Sequence, residues 1–452
     1  MNGVIVRVVV IFILIINLAS FTFAQSDQIR SINLEDALIL ALENNHDLKM
    51  SKLDYEKAEQ QVREAYGTSL FPSIDGTLQY NRALKRSEFI IETPFFSGRF
   101  PAGTFNTLTS TISAEQPLFT GAMFLAVSIA ETFADISQKA EQYSQADIIR
   151  NVKQAYYTYL LSKELTKLSE LQLNRAEYNL RDARALYESG LVSEYDYIKA
   201  NVQFQNMKPI LTESQIQQKL ALNNLKIVMG IELESEIEVN DSLEFRRLEV
   251  PSLESGLKSV LEKNKLLKQM ELQTELQDLN SSYQFSQHFP KLNAFANWQV
   301  QAQENDDRAF SDWRYTNSVF VGVALSVPIF KGWELDSKVQ QAEIDYKKSV
   351  EDYLKTKKAV KNEYENSILT VEKIEQQIAA YSGAVNETER GFEIASKRFT
   401  NGLSSQIEVT NALVDVSQAK VNYLQSIHDY FVEHAKLDLL LGKTADEILN
   451  KN

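Results

Sequence analysis

Two periods of apolar residues divide this chain, one helical and one of alternate positions. Stepping four and three from Ile148 meets Val152, Ala155, Tyr159, Ser162, Thr166, Ser169, Leu173, Ala176, Leu180, Ala183 and Tyr187, nine of the twelve being apolar or aromatic. The same walk begun 212 residues later meets Val360, Tyr364, Ser367, Val371, Ile374, Ile378, Tyr381, Val385, Thr388, Phe392, Ala395 and Phe399, with ten of twelve. A 3.5-residue period held this long, twice and in one register, is a coiled-coil seam. The pattern predicts helices over about 35–70, 119–188, 194–229, 253–288, 330–400 and 405–441. In each half the two shorter helices together match the long one, so a long helix is expected to run antiparallel to two half-length helices set end to end. At a rise of about 1.5 Å per residue the long helices would span roughly 105 Å. Pro209 is expected to kink the helix over 194–229.

Turn chemistry separates the long helices from the shorter ones that follow. Gly190 and Gly402 come after the last periodic positions, each followed by a leucine, Leu191 and Leu403. That is the pattern of a left-handed C-cap with its hydrophobic contact. Ser193-Glu194-Tyr195-Asp196 and Ser405-Gln406-Ile407-Glu408 both read as capping boxes. Tight helical hairpins are expected at both places.

Elsewhere the period falls to two. Ile74, Gly76, Leu78 and Tyr80 alternate with polar residues, as do Leu108, Ile112 and Ala114. Leu292, Ala294, Ala296, Trp298 and Val300 do the same, and Val319, Val321, Val323, Leu325 and Val327 alternate with small or polar positions. Runs of about 9–11 residues with one apolar face are the mark of transmembrane β-strands. Phe71, Tyr80, Phe89, Phe105, Phe289, Trp313 and Tyr315 would serve as aromatic girdles, with 82–105 and 304–315 as exposed loops. Four strands cannot close. An open edge in hydrocarbon leaves backbone groups unpaired, so several chains must share one barrel. Two chains would give eight strands with a filled interior, and three would give twelve around an aqueous bore.

The halves repeat. Asn44 matches Asn264, Pro72 matches Pro290, and Gln116-Pro117-Leu118-Phe119-Thr120-Gly121 matches Val327-Pro328-Ile329-Phe330-Lys331-Gly332. Gly190-Leu191 matches Gly402-Leu403, and Met229-Gly230 matches Leu441-Gly442. The expected organisation is a first repeat over 25–240 with its β-hairpin at 73–117, and a second over 241–452 with its β-hairpin at 291–328. Residues 1–24 stand apart as a secretory signal peptide, with Arg7 before the apolar run Val8–Leu18 and Thr22-Phe23-Ala24 at the cleavage site.

Composition narrows the function. There are 47 basic and 61 acidic residues, and a net charge of −14 argues against nucleic acid as a partner. The absence of cysteine removes disulfides, thiolate metal sites and cysteine nucleophiles. The four histidines, His46, His288, His428 and His434, have no metal-ligand spacing. No phosphate loop or nucleophile elbow is present, so no catalytic, cofactor or metal residue is assigned and the protein is not expected to be an enzyme.

Several of these motifs together resemble the TolC-like outer-membrane efflux proteins, the outer membrane factor family. The carriers are Leu34-x-x-Ala37-Leu38-x-x-Ala41-Leu42, Phe71-Pro72, Gln116-Pro117-Leu118-Phe119-x-Gly121 and Tyr187-x-x-Gly190-x-x-Ser193-x-x-Asp196. Their counterparts are Val327-Pro328-Ile329-Phe330-x-Gly332, Arg398-Phe399-x-x-Gly402 and Leu441-Gly442. The resemblance implies a mainly α fold with membrane β. It implies a homotrimer in which antiparallel coiled-coil helices form a periplasmic α-barrel. A twelve-stranded transmembrane β-barrel, four strands per chain, would continue it in the outer-membrane lipid. It further implies a passive duct in a tripartite efflux or type I secretion system, reached through a periplasmic adaptor (membrane fusion protein) and an inner-membrane pump. The helices and signal peptide taken alone would also suit a soluble periplasmic coiled-coil adaptor or scaffold, which would leave the strands without a use.

By the same resemblance, Ser189, Gly190, Leu191, Val192 and Ser193, with Asn401, Gly402, Leu403, Ser404 and Ser405, are the adaptor-contact tips. Asp196, Phe399, Glu408, Asn411 and Asp415 fall at the periplasmic gate. Phe399 and Ser404 stand where closed gates of the family carry a tying Tyr and Arg, and neither side chain can make those bonds. Glu408, Asn411 and Asp415 are spaced to share one helix face. On a luminal face, three copies would form an acidic ring favouring cations.

Overall fold

The computed structural model describes residues 30–449, so the predicted signal peptide, 1–24, lies outside the described residues. In chain order the elements are β1 (Arg30–Ser31), α1 (Leu34–Asn44), α2 (His46–Leu70), β2 (Ser73–Arg82), β3 (Ser87–Thr93), β4 (Phe96–Ala102), β5 (Asn106–Phe119), α3 (Met123–Glu188) and α4 (Glu194–Met229). There follow β6 (Ile237–Glu238), α5 (Leu253–Lys263), α6 (Lys265–Ser286), β7 (Lys291–Glu304), a 3-10 turn (Phe310–Asp312), β8 (Tyr315–Ser326), α7 (Glu334–Thr400), α8 (Gln406–Leu440) and α9 (Ala445–Leu449). Among the described residues no helix is long and apolar enough to cross a membrane.

The predicted seams are largely buried. Ile148, Val152, Ala155 and Tyr159 on α3, and Val360, Tyr364, Ser367, Val371, Ile374 and Ile378 on α7, are closed to solvent. Two expectations about helices change. The first helix of each half is broken, at Asn45 and at Asn264, where ψ turns to 130° and 121°. Each of these asparagines uses its carboxamide elsewhere: Asn45 Nδ2 donates to the Val228 carbonyl at 2.8 Å, and Asn264 Nδ2 to the Leu440 carbonyl at 3.0 Å. Both acceptors belong to the carbonyls a helix end leaves unpaired. The residue that acts as Asn264 does is therefore Asn45, one position past the Asn44 expected from the sequence. Pro209 lies inside α4 without ending it.

The described chain divides into two compact units, each threaded three times. The first takes residues up to Asn45, Ala155–Phe245 and Val385–His428. Here Arg30 and Ser31 pair in parallel with Ile237 and Glu238. Lys163 Nζ donates to the Val239 carbonyl at 2.5 Å, and the buried Tyr156 hydroxyl donates to Asp241. The helical hairpin α3–α4 and the hairpin α7–α8 end in this unit.

The second unit takes His46–Gln154, Arg246–Ala384 and residues from Asp429 on. It holds one four-stranded antiparallel sheet in the order β2-β5-β7-β8. The registers bring the predicted apolar sets to one face. Ile74 faces Ala114 and Gly76 faces Ile112; Ile112 faces Trp298 and Trp298 faces Val319. Directly paired residues point the same way, so Thr77, Thr111, Gln299 and Ser318 line the other face. Within this sheet β2 and β8 each keep one unpaired edge. Tyr80 and Trp313 stack 6.4 Å apart at the end where the long loops begin.

Residues 82–105, expected as a plain loop, carry a second hairpin in which β3 and β4 pair in full register. Phe89 belongs to this hairpin and not to the rim of the sheet. Its root is clamped by Arg82, whose guanidinium binds both carboxylate oxygens of Asp306 at 2.9 Å. Gly121, part of the first repeated Pro-Leu-Phe-x-Gly motif, is confined by packing: a Cβ there would come within 2.7 Å of the Phe289 ring and the Ser286 carbonyl.

Candidate functional site

Each long helix ends in the same pair of backbone bonds. Gly190 N–H donates to the Tyr187 carbonyl at 2.9 Å and Leu191 N–H to Leu186 at 2.9 Å. Gly402 N–H donates to Phe399 at 2.9 Å and Leu403 N–H to Arg398 at 2.8 Å. These are Schellman motifs, which need a left-handed residue; φ is +73° at Gly190 and +70° at Gly402. The hydrophobic contact expected of Leu191 and Leu403 gives way to exposure: each is 69% open to solvent instead of folded back on its helix. Ser189, Ser193, Asn401 and Ser405 are exposed around them, with Val192 and Ser404 half-buried.

The hairpins differ in how the next helix starts. Ser193 and Asp196 form the expected capping box: the Asp196 N–H donates to Ser193 Oγ at 3.3 Å, and the Ser193 N–H to Asp196 Oδ2 at 3.3 Å. The second box does not close. Glu408 turns its carboxylate to Arg398, Oε2 lying 3.6 Å from Nη1, while its N–H donates to the Ser405 carbonyl at 3.1 Å. Arg398 sits in the last turn of α7 and also donates to the Leu403 carbonyl at 3.3 Å.

The five gate candidates differ in exposure. Glu408, Asn411 and Asp415 share an exposed face of α8, with Val409, Leu413 and Val416 buried on the opposite side. Asp196 is half-buried within its cap. Phe399 is 3% exposed and packs with Ala183, Ala200 and Val409 in a cluster completed by Leu180, Leu186, Val192, Phe392 and Ala395. In this chain it joins the two hairpins to each other. Phe399 closes the periodic α7 series, whereas Tyr187, which closes the α3 series, is 40% exposed.

Two features were not singled out from the sequence. Tyr187 and Tyr197 stack across the first hairpin with ring centroids 5.7 Å apart. A cavity of about 440 Å³ opens between α3, α4 and α8 beside Pro209, with Met207, Ile210, Glu213, Ser169 and Gln418 among its walls. The stacking of Tyr187 on Tyr197 depends on how the two helices of the hairpin are rotated against each other, which spacing alone does not give. Among the described residues no group of His, Asp and Glu side chains is placed to hold a metal ion.

Comparison with known proteins bears on the family and the fold. Residues 37–230 and 256–443 both match the family described as outer membrane efflux protein. The outer membrane protein TolC of Vibrio cholerae is 23% identical over 406 residues, covering 87% of this chain and 89% of that protein. The alkaline protease secretion protein AprF of Pseudomonas aeruginosa is 21% identical over 404 residues, covering 87% and 82%. The crystal structure of the Campylobacter jejuni CmeC outer membrane channel superposes with a TM-score of 0.77 at 18% identity, over 90% of this chain and 85% of that one. The chain belongs to the outer membrane efflux protein family, as a non-catalytic channel protein of the outer membrane with a periplasm-facing domain.

Proposed function

We propose that three copies of this chain form the outer-membrane duct of a tripartite exporter, serving efflux or type I secretion. The observation that carries this reading is the four-stranded sheet of the second unit. Its registers gather the alternating apolar residues of β2, β5, β7 and β8 on one face, and its outer strands β2 and β8 have free edges. A sheet of this kind is stable in lipid only when its edges are paired. Twelve strands from three chains would satisfy them around a bore wide enough for water. Residues 25–240 and 241–452 are then two copies of one unit, a reading supported by the double match to one family and by the matched caps at Gly190 and Gly402. Secretion by AprF and efflux by other relatives are both compatible with an open duct whose cargo is chosen by the pump.

The paired hairpins are the proposed docking end for a periplasmic adaptor. Ser189 to Ser193 and Asn401 to Ser405 form the contact, with Leu191 and Leu403 as its apolar points. Asp196, Glu408, Asn411 and Asp415 are the proposed polar lining of the narrow end, and Phe399 holds the hairpins that carry them. Light scattering of detergent-purified protein tests the assembly. A trimeric mass with conductance in planar bilayers is expected, and a stable monomer with full β-content would overturn the duct.

A further inference from the structure

The face of the sheet that carries Thr77, Thr111, Gln299 and Ser318 is not polar throughout. Phe295 of β7 and Phe320 of β8 stand on it, 36% and 59% exposed. Phe295 pairs with Gly322 and Phe320 with Asn297, so the two rings are diagonal neighbours on adjacent strands. Phe295 has a structural reason to be there. Its ring lies over Gly322, where an added Cβ would stand 2.8 Å from Cζ, and so covers backbone that the glycine leaves bare. Phe320 has an asparagine opposite it and no glycine to cover.

Two carboxylates adjoin the rings on the same face. Glu115 of β5 stands directly opposite Phe295. Asp75 of β2 is diagonal to Glu115, since Ser73 pairs with Glu115 and Asp75 with Ser113. Both acids are exposed, and Asn293 Nδ2 donates to Glu115 Oε1 at 2.8 Å, holding that carboxylate beside β7. Among the described residues of these strands, Lys291 is the one cation on this face; it opens β7 and donates to Gln287 at 3.0 Å. The patch thus runs acid, acid, ring, ring across β2, β5, β7 and β8, at the end where the strands join the helices.

We propose that this patch is a contact site for aromatic monocations on the inner wall of the duct. It rests on the trimeric duct proposed above, which turns this face to the bore and repeats the patch three times around it. A flat ligand stacks on Phe295 and Phe320, whose ring faces also attract positive charge. Glu115 supplies the counter-charge on the next strand, about 4.8 Å away, and Asp75 one strand beyond it. An aromatic anion of the same shape would meet the same rings but two like charges, so the sign of the charge discriminates. Contacts of this kind at exposed rings are individually weak. Weak retention is what a conducting path requires, because cargo that enters must also leave.

Ethidium, a fluorescent aromatic monocation, is the probe. It is titrated against detergent-purified full-length protein in uncharged detergent, after light scattering and planar bilayers have established mass and conductance. A saturable rise in its anisotropy is expected. At equal ionic strength, excess phenyltrimethylammonium should displace it, and excess benzenesulfonate should not. Phe320→Ser and Glu115→Gln should each weaken binding by about three- to fivefold, whereas Phe320→Tyr, which keeps the ring, should bind as the parent does. Glu408→Gln with Asp415→Asn removes carboxylates at the hairpin end and should leave binding unchanged. If Phe320→Ser does not assemble, Glu115→Gln and Phe320→Tyr carry the test. A conducting trimer with no saturable ethidium binding, or with binding that Phe320→Ser and Glu115→Gln leave intact, would overturn the site and leave the duct standing. A monomer before titration would overturn both.

Discussion

Gly230, the C-cap of α4, lies so close to Asn44 that a Cβ on it would stand 2.6 Å from the Asn44 carbonyl. Gly442 has the same relation to Lys263, at 2.4 Å, and both glycines have positive φ, +71° and +68°. Gly190 and Gly402 have the same backbone conformation with nothing within 4 Å. The two classes should separate on substitution. Gly190→Ala and Gly402→Ala carry only the left-handed strain, about 1 kcal/mol. Gly230→Ala and Gly442→Ala add a backbone overlap of roughly 1–3 kcal/mol more. Thermal unfolding followed by circular dichroism in detergent should rank them in that order.

The sheet predicts an asymmetry between its faces. Val321 stands opposite Ala296 on the apolar side, whereas Thr111 stands between Thr77 and Gln299 on the other. Val321→Arg should cost about 2–4 kcal/mol if that face meets lipid near the bilayer midplane. Thr111→Arg should leave assembly nearly unchanged. The yield of trimer extracted from outer membranes measures the difference; equal yields would mean that the apolar face does not meet lipid.

His434 should make stability depend on pH. Burial pushes its pKa from the usual 6.5 down to about 4, with the Lys443 and Lys153 charges acting in the same direction and Asp438 against them. The unfolded chain therefore takes up a proton near pH 6.5 that the folded chain refuses until about pH 4. Stability from this group is intact above pH 6.5, falls as the pH drops towards 4, and changes no further below that. The full loss is roughly 3 kcal/mol at about 1.4 kcal/mol per unit. His434→Gln should flatten that part of the profile of melting temperature against pH.

Glu408 and Asp415 are the residues to test for ion selectivity. Glu408 is exposed and paired with Arg398, a contact of the kind that contributes about 0–1 kcal/mol. Glu408→Gln with Asp415→Asn should thus lower the preference for cations in planar bilayers and leave trimer stability nearly unchanged. Unaltered selectivity would place both carboxylates off the conducting path.

Local chemistry was readable in advance wherever the deciding partner lies close in sequence. The turns at Gly190 and Gly402 are specified within six residues, and the Ser193–Asp196 box within four. Strand alternation likewise announced one face for β2, β5, β7 and β8. Distant partners changed the rest. The breaks at Asn45 and Asn264 depend on carbonyls 183 and 176 residues away, and Glu408 prefers an arginine on the preceding helix to its own cap. The β3–β4 hairpin was hidden because Phe89, Ile90 and Ile91 form an unbroken apolar run, which gives no alternation to follow.

The single chain leaves Val321 77% exposed and Leu78 74% exposed, beside two strand edges with unspent hydrogen-bonding capacity. Such a surface sticks to any extended backbone it meets. Between export and assembly the chain is therefore in a race between correct neighbours and chance ones, and both outcomes speed up with crowding. Raising its synthesis in cells should yield diminishing returns, with the excess collecting as insoluble β-rich material. Slow expression at low temperature should favour the productive encounter.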